Sequence, residues 1–316
     1  MKEESWTTVA GFRRKAQDLA PTYGAVVALL LLVVANMLFT PNFAAASNLW
    51  TILQQISTTV LVAMGMTLVI STGGIDLSVG STMAIASVVS ASFIERGAGV
   101  AVVAGLGAAI AVGFVNGLLV TKANIQPFIV TLAVLIAGRG IAQVVSHEGE
   151  LVPFDNPTFQ QLGNVPFQVA AMIVVTGATL FVMRATTFGR YVSAVGGNER
   201  AARLAGIAVH RTKLIVYVTS AVLAGVAGII ETARSASADA ANVGSGMELD
   251  AIAAVIVGGT PFSGGRSTVL GTVVGALIMA IIGATLVMHL VPAAWSPVIK
   301  AAAIVFAVYI QRSRVA

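Results

Sequence analysis

Two charges stand in stretches otherwise fit for a membrane. Asp76 is the only charged residue between Asp18 and Glu95. It sits in Thr72–Ser81, read Thr-Gly-Gly-Ile-Asp-Leu-Ser-Val-Gly-Ser, with apolar runs from Ile56 to Ile70 and from Met83 to Ile94 on either side. Arg139 is the second such charge, between Gly138 and Gly140. Inside a bilayer a helix can break only where the loose backbone is buried in protein or lines a wet cavity. An ionisable residue there is a functional candidate by default, and on insertion scales it costs about 2.5–3.5 kcal/mol at mid-bilayer. Pairing would reduce that cost, so Asp76 and Arg139 are expected to lie together and fix the geometry of the break. The other reading has Arg139 snorkelling to a headgroup or capping a backbone carbonyl.

The break has a counterpart. Gly258-Gly259-Thr260-Pro-Phe-Ser263-Gly-Gly265 matches Gly73-Gly74-Ile-Asp76-Leu-Ser78-Val-Gly80 at two adjacent glycines, a serine and a last glycine. Paired glycine-interrupted segments in two halves of a membrane protein point to a transport pathway. The expected pathway residues are therefore Gly73, Gly74, Asp76, Ser78, Arg139, Gly258, Gly259, Thr260 and Ser263. The bland reading is a pair of tight turns between antiparallel spans.

Nothing in the chain supports catalysis of its own. There is no cysteine, so no disulfide, thiolate metal site or cysteine nucleophile. His147, His210 and His289 are far apart, and no metal site is expected. The sequence has no Gly-x-x-x-x-Gly-Lys-Ser/Thr phosphate loop and no Gly-Lys dipeptide. No cofactor is expected on this chain. Glu231, Glu248 and Asp250 are read as hydrating an external mouth or meeting a partner.

The elements that must position these residues are membrane spans. The chain has 316 residues, 57% hydrophobic and 10% charged, against about 25% charged in a soluble domain. Such a chain cannot cover itself with a polar surface, so the expected fold is an all-α polytopic membrane protein. Spans of about 20 apolar residues fall near 22–40, 48–71, 77–94, 99–121, 127–145, 167–183, 214–231, 249–259, 268–291 and 297–310. The 249–259 run is too short to cross alone. The net charge of +5 resides in short loops. Arg184, Arg190, Arg200, Arg203, Arg211 and Lys213 crowd 184–213, and Arg266, Arg312 and Arg314 join them. His147, Glu148, Glu150 and Asp155 occupy 146–165 with no Lys or Arg. The loop 232–248, with Arg234, Asp239 and Glu248, is expected outside. By the positive-inside rule ten crossings place both termini in the cytoplasm. Trp50 and Trp295 fall at outer span ends. Residues 1–20 read as an interfacial cytoplasmic segment or a frayed tail, and 21–316 as one transmembrane domain. Gly113-x-x-x-Gly117 and Gly271-x-x-x-Gly275 allow close helix approach, expected inside the chain.

Within 184–213, Gly196 to Gly206 reads as a short helix with both ends marked. Asn198 suits the N-cap, Glu199 the positive helix start and Gly206 the left-handed position after the end. Ala201, Ala202 and Ala205 give a small-residue face suited to a groove in a soluble partner. An ordinary basic loop at the lipid surface is the other reading.

Met64–Ser81, Asn124–Leu132, Ala137–Gly140, Ala194–Ile207, Glu248–Thr260 and Ser263–Arg266 together resemble the permease subunits of ribose/galactose-type ABC sugar importers, and are most like the galactofuranose subgroup. The likeness runs from Val60 to Arg312. It implies a permease that works as a dimer of like or paired chains. It implies a cytoplasmic ATPase, which binds the ATP and Mg, and an extracytoplasmic sugar-binding protein. It implies that Gly197, Asn198, Glu199, Ala201, Ala202, Ala205 and Gly206 belong to the ATPase-docking loop, and that a monosaccharide moves inward by alternating access across the bacterial inner membrane. An ion-coupled secondary sugar transporter using Asp76 or Asp250 is the alternative. An intramembrane enzyme or a scaffold would need paired polar residues at one depth, which the sequence does not offer.

Overall fold

A chain that buries polar side chains inside and turns apolar ones outward inverts the soluble pattern, and the helices sort themselves that way. In the computed structural model, residues 24–292 and 294–312 are described, with side chains described through 305. The expected interfacial segment 1–20 and Arg314 lie outside the described residues. The described part of α1 is Gly24–Phe39. It is followed by α2 (Ala46–Ser71), α3 (Val79–Ser92), α4 (Ala98–Thr121), α5 (Pro127–Val145), the short α6 (Pro157–Gln160) and α7 (Val165–Ala185). Then come α8 (Thr187–Gly197), α9 (Glu199–Leu204), α10 (Val209–Ser235), α11 (Met247–Val257), α12 (Val269–Met288) and α13 (Trp295–Arg312). The strands β1 (Val152–Pro153) and β2 (Ser237–Ala238) pair antiparallel.

Every expected span meets a helix, and six of the helices (α2, α4, α5, α7, α10 and α12) are long and apolar enough to cross a membrane. α2 is the axis of the bundle. Each residue from Ile56 to Ser71 is buried, enclosed by α7, α10, α11 and α12. Its mean hydropathy of 1.6 is below the 2.0 of α7, although 83% of the α2 window is buried and only 11% of the α7 window. The reason is chemical. The inner helix carries Ser57, Thr58, Thr67 and Ser71, whose hydroxyls donate to carbonyls three or four residues back. The outer helix meets a surface where such groups would lack partners.

The helices alternate between two ends. One end gathers the basic segment 184–213, Lys122 and Arg266. The other holds the 146–164 loop, the β1–β2 pair and Trp50 and Trp295, both half-exposed. Two elements reach only part of the way. α3 has 14 residues and α11 has 11, about 21 and 17 Å at 1.5 Å per residue. α3 is preceded by a hook, 72–78, that climbs back from the basic end. α11 is preceded by a second hook, 239–246, that descends from the acidic end. The expected outer loop 232–248 is therefore divided: α10 extends to Ser235, β2 follows, and 239–246 turns inward. The start of α3 meets the second hook, since a Cβ on Gly80 would overlap the Gly244 carbonyl and lie 2.5 Å from Glu248 Oε2.

Both small-residue motifs serve packing within the chain. A Cβ on Gly113 would lie 2.6 Å from Ala221 Cβ and 2.8 Å from Val218 Cα of α10. Gly271 and Gly275 of α12 lie against Gly258 and Ala254 of α11. Gly113→Val is expected to lower stability by about 1–3 kcal/mol through overpacking. Gly177→Ala, at an exposed site with nothing within 4 Å, should instead gain up to about 1 kcal/mol of helix propensity. Thermal unfolding of the purified protein in detergent checks both signs.

Candidate functional site

Asp76 closes the first hook. The N–H groups of Thr72, Gly73 and Gly74 return to the last carbonyls of α2, and Gly73 takes φ +77, a conformation open to glycine. Past that point the backbone has no helix to bond to. Asp76 Oδ1 accepts from the Ser78 N–H at 3.0 Å and from the Ser78 hydroxyl at 2.6 Å. Its Oδ2 accepts from the Ser220 hydroxyl of α10 at 2.9 Å. Asn116 of α4 donates to Ser78 Oγ at 2.7 Å, and Thr131 of α5 donates to the Ile75 carbonyl at 3.3 Å. Asp76, Ser78, Asn116 and Ser220 are all buried. The Tyr217 hydroxyl and Asn116 Oδ1 are buried here too, without a hydrogen-bond partner among the described residues.

Arg139 closes the second hook. Its Nη1 donates to the carbonyls of Ala240 and Val243, each at 2.8 Å. The hook's own N–H groups are taken by Asp239, whose Oδ1 accepts from Ala241 and Asn242 at 3.0 Å. Glu248, Asp239 and Glu231 supply the negative field around the guanidinium. The expected Asp76–Arg139 ion pair is thus corrected. Asp76 is held by hydroxyls and an N–H before α3, while Arg139 caps carbonyls of the other hook, so each broken backbone claims its own charge.

The two glycine segments do touch, at the basic end. The Gly265 N–H donates to the Ser71 carbonyl at 3.0 Å, and Ser71 Oγ donates to the Arg266 carbonyl at 3.1 Å. Gly259 and Gly265 have φ of +93 and +81. Thr260 is buried, its hydroxyl 2.8 Å from that of Thr268, and Gly258 accepts from Thr268 Oγ1 at 2.9 Å. Residues 258–268 form the turn between α11 and α12, as the bland reading had it, and Ser263 is exposed on it. The segment facing the start of α3 at depth is 239–246 instead. A third glycine completes the corner. A Cβ on Gly196, near the end of α8, would overlap the Ser71 carbonyl oxygen and lie 2.6 Å from the Gly265 nitrogen. The basic segment therefore rests by its backbone on both glycine breaks.

Beyond Gly196 and Gly197 the chain turns into α9. Asn198 Oδ1 accepts from Ala201 N at 3.0 Å, and Gly206 takes φ +80. Glu199 accepts from Lys213 of α10 at 2.6 Å and from Arg203 at 3.2 Å. The Lys213 hydrogen bond, followed by burial acting the other way, holds the Glu199 carboxyl below its ordinary value. Ala202 is buried with Val195 and Val209, so it is not on the exposed face expected for it. That face is Ala201, Leu204 and Ala205, with Leu204 90% exposed. The sequence reading missed Ser220, Asn116 and Tyr217, and gave no separate role to Gly196 or Leu204 within the 196–206 stretch. The signal for Asn116 and Ser220 was present, each being a polar residue inside an apolar run.

The family model described as branched-chain amino acid transport system, permease component, matches residues 48–308. The chain is 39% identical to the ribose import permease of Escherichia coli K12, covering 97% of this chain and 98% of that one. It is 37% identical to the galactofuranose transporter permease of the same organism, over 92% and 89%. It is 36% identical to a fructose import permease of Bifidobacterium longum, over 83% and 80%. No solved structure matches. The chain belongs to this family of transport permeases.

If Asp76 and Arg139 act apart, their effects should add. The double swap Asp76→Arg with Arg139→Asp is expected to be no better than the sum of the single changes, with coupling within about 0.5 kcal/mol in detergent melts. Asp76→Asn, which keeps an acceptor for Ser78, should cost less than Asp76→Ala, where the lost bonds are worth about 1–3 kcal/mol. The Glu199 tie to α10 is complete above the ordinary carboxylate value of about 4.3 and is lost as pH falls through the lower folded-state value. Amide exchange at 199–205 should accelerate in that acid range, and Glu199→Gln should flatten the dependence.

Proposed function

We propose that this chain is the membrane-spanning subunit of an ATP-driven importer that moves a neutral monosaccharide inward by alternating access. The observation that carries the reading is the corner where Gly196 rests on Ser71 and Gly265. A force applied to α9 from outside the membrane reaches both glycine segments through backbone alone, with no flexible side chain to absorb it. The partner that applies it is a cytoplasmic ATPase, which supplies the ATP and Mg sites. Ala201, Leu204 and Ala205 form the contact, with Phe262, 52% exposed on the neighbouring turn, as a second apolar point.

In this reading ten segments cross the membrane, α3 and α11 each completed by its hook. Both termini face the basic, cytoplasmic side of a bacterial inner membrane. A second permease chain, identical or paralogous, completes the pathway, and an extracytoplasmic binding protein delivers the sugar to the acidic end. Gly73, Gly74, Asp76, Ser78, Arg139, Gly258, Gly259, Thr260 and Ser263 frame or position the pathway.

The family description names amino acids and the relatives' names give sugars. The charges within the bundle favour the sugar. A half-helix N-terminus at depth suits a substrate carboxylate, yet both such termini carry carboxylates of the chain itself: Asp76 before α3, and Glu248 and Asp250 in the first turn of α11. Lys300 is paired with Asp250 at 2.8 Å, and Arg139 is engaged by carbonyls. A zwitterion would find no free positive partner among these groups. The ion-coupled alternative gains no support, because both Asp76 oxygens are already held.

Uptake in vesicles separates the readings. Ribose, fructose or galactose should enter with ATP, ATPase and binding protein present and no ion gradient. Uptake that persists without the ATPase would sink the proposal. Leu204→Asp should abolish copurification of the ATPase. Gly196→Val should leave that copurification intact while lowering uptake at least about tenfold, a barrier change of about 1.4 kcal/mol.

A further inference from the structure

At the acidic end, where α10 stops and α7 starts, the surface opens into a cleft of about 360 Å³ lined by Gln54, Gln160, Asn164, Val165, Ala233 and Arg234. Helix ends leave carbonyls and N–H groups without intrahelical partners, and this cleft has one end of each kind. The amides of Gln54, Gln160 and Asn164 add donors and acceptors, and none of the three is hydrogen-bonded through its side chain to another described residue. Among the described residues, Arg234 pairs with Glu231 alone, at 3.8 Å. These groups converge on one concavity with their hydrogen-bonding capacity unspent, and the volume is at the small end of ligand pockets, about 300–1,000 Å³. An amide-rich cleft of that size suits the adjacent hydroxyls of a single sugar ring.

Its position matters as much as its lining. Residues 54, 58, 61 and 65 follow one another by four, three and four along α2, and so share a face. Gly65, at the inner end of that face, lies so close to α10 that a Cβ would be 2.8 Å from Ser220 Cα, and Ser220 holds Asp76. The cleft is the outer end of the α2–α10 seam whose inner end is the first hook.

The geometry points to a low-affinity receiving site for a neutral monosaccharide in this cleft, with Gln54 and Gln160 as its principal hydrogen-bonding groups. It takes the sugar as the binding protein releases it and keeps it from escaping before the seam opens. The inference rests on the sugar-import reading and adds a place to it.

The test uses the assembled permease–ATPase complex in lipid nanodiscs, with D-ribose and D-fructose as probes. Saturation-transfer NMR without binding protein should show contact with at least one of these sugars. The Gln54→Leu/Gln160→Leu variant should lose that contact roughly three- to tenfold, the weight of one or two neutral hydrogen bonds. With saturating binding protein the same variant should hydrolyse ATP at the normal rate but import fewer sugars per ATP by a similar factor, since released sugar escapes. Equal saturation transfer in variant and parent overturns the cleft site. So does weakened capture of the binding protein with sugar contact unchanged, which would make the cleft a protein contact. A parent complex that imports sugar while the variant matches it in every readout removes this inference alone. A parent that imports no sugar under any condition removes the functional reading beneath it as well.

Discussion

Everything near the centre of this protein follows from the requirement that backbone polar groups be satisfied where a helix stops inside an apolar bundle. Water is excluded there, so side chains must do its work. The chain meets the requirement twice, with opposite signs. The hook before α3 exposes a donor, and a carboxylate, Asp76, accepts it along with two hydroxyls. The hook before α11 exposes carbonyls, and a guanidinium, Arg139, donates to them. A carboxyl group closes one break and a guanidinium closes the other. The two charges are present for the same reason, which is why they do not need each other.

That economy shapes the transport reading. Broken helices that end at depth usually present charge to a substrate or ion. Here Asp76 and Arg139 are consumed in holding the breaks, so neither is left free for a charged solute. A neutral polyol is the solute for which such an interior is least selective against and most hospitable. The glycine corner at the basic end is a contact of backbones, and on the proposed reading it is where movement would enter.

Much of the fold was legible from apolar run length, because most of the spans must cover the hydrocarbon by themselves. The break at Thr72–Ser81 was legible because a lone carboxylate among glycines has few other uses. What Arg139 does was left open between pairing with Asp76, snorkelling to a headgroup and capping a backbone carbonyl, since a carbonyl acceptor leaves no mark in the sequence; the structure shows the carbonyl cap. The second hook was hidden for a similar reason. Asp239, Asn242, Gly244 and Gly246 read as an ordinary outer loop, and only the shortness of the 249–259 run hinted that neighbouring chain must supply the missing depth. α9 was placed by its caps, but the direction of its faces was not: Ala201 and Ala202 look alike in sequence, and only the packing of Val195 and Val209 decides that Ala202 turns inward. Ser220 and Asn116 became meaningful once α10 and α4 were seen to converge on the hook.

The construction of the glycine corner has one more consequence. On the proposed reading, Gly196 would transmit through its backbone, while the exposed side chains of Ala201, Leu204 and Ala205 a few residues later would meet the partner, on a helix whose other face is anchored by Ala202. Transmission and recognition would then be written in different atoms, and the outer face of α9 could change to suit another partner while the backbone contact beneath it stays the same.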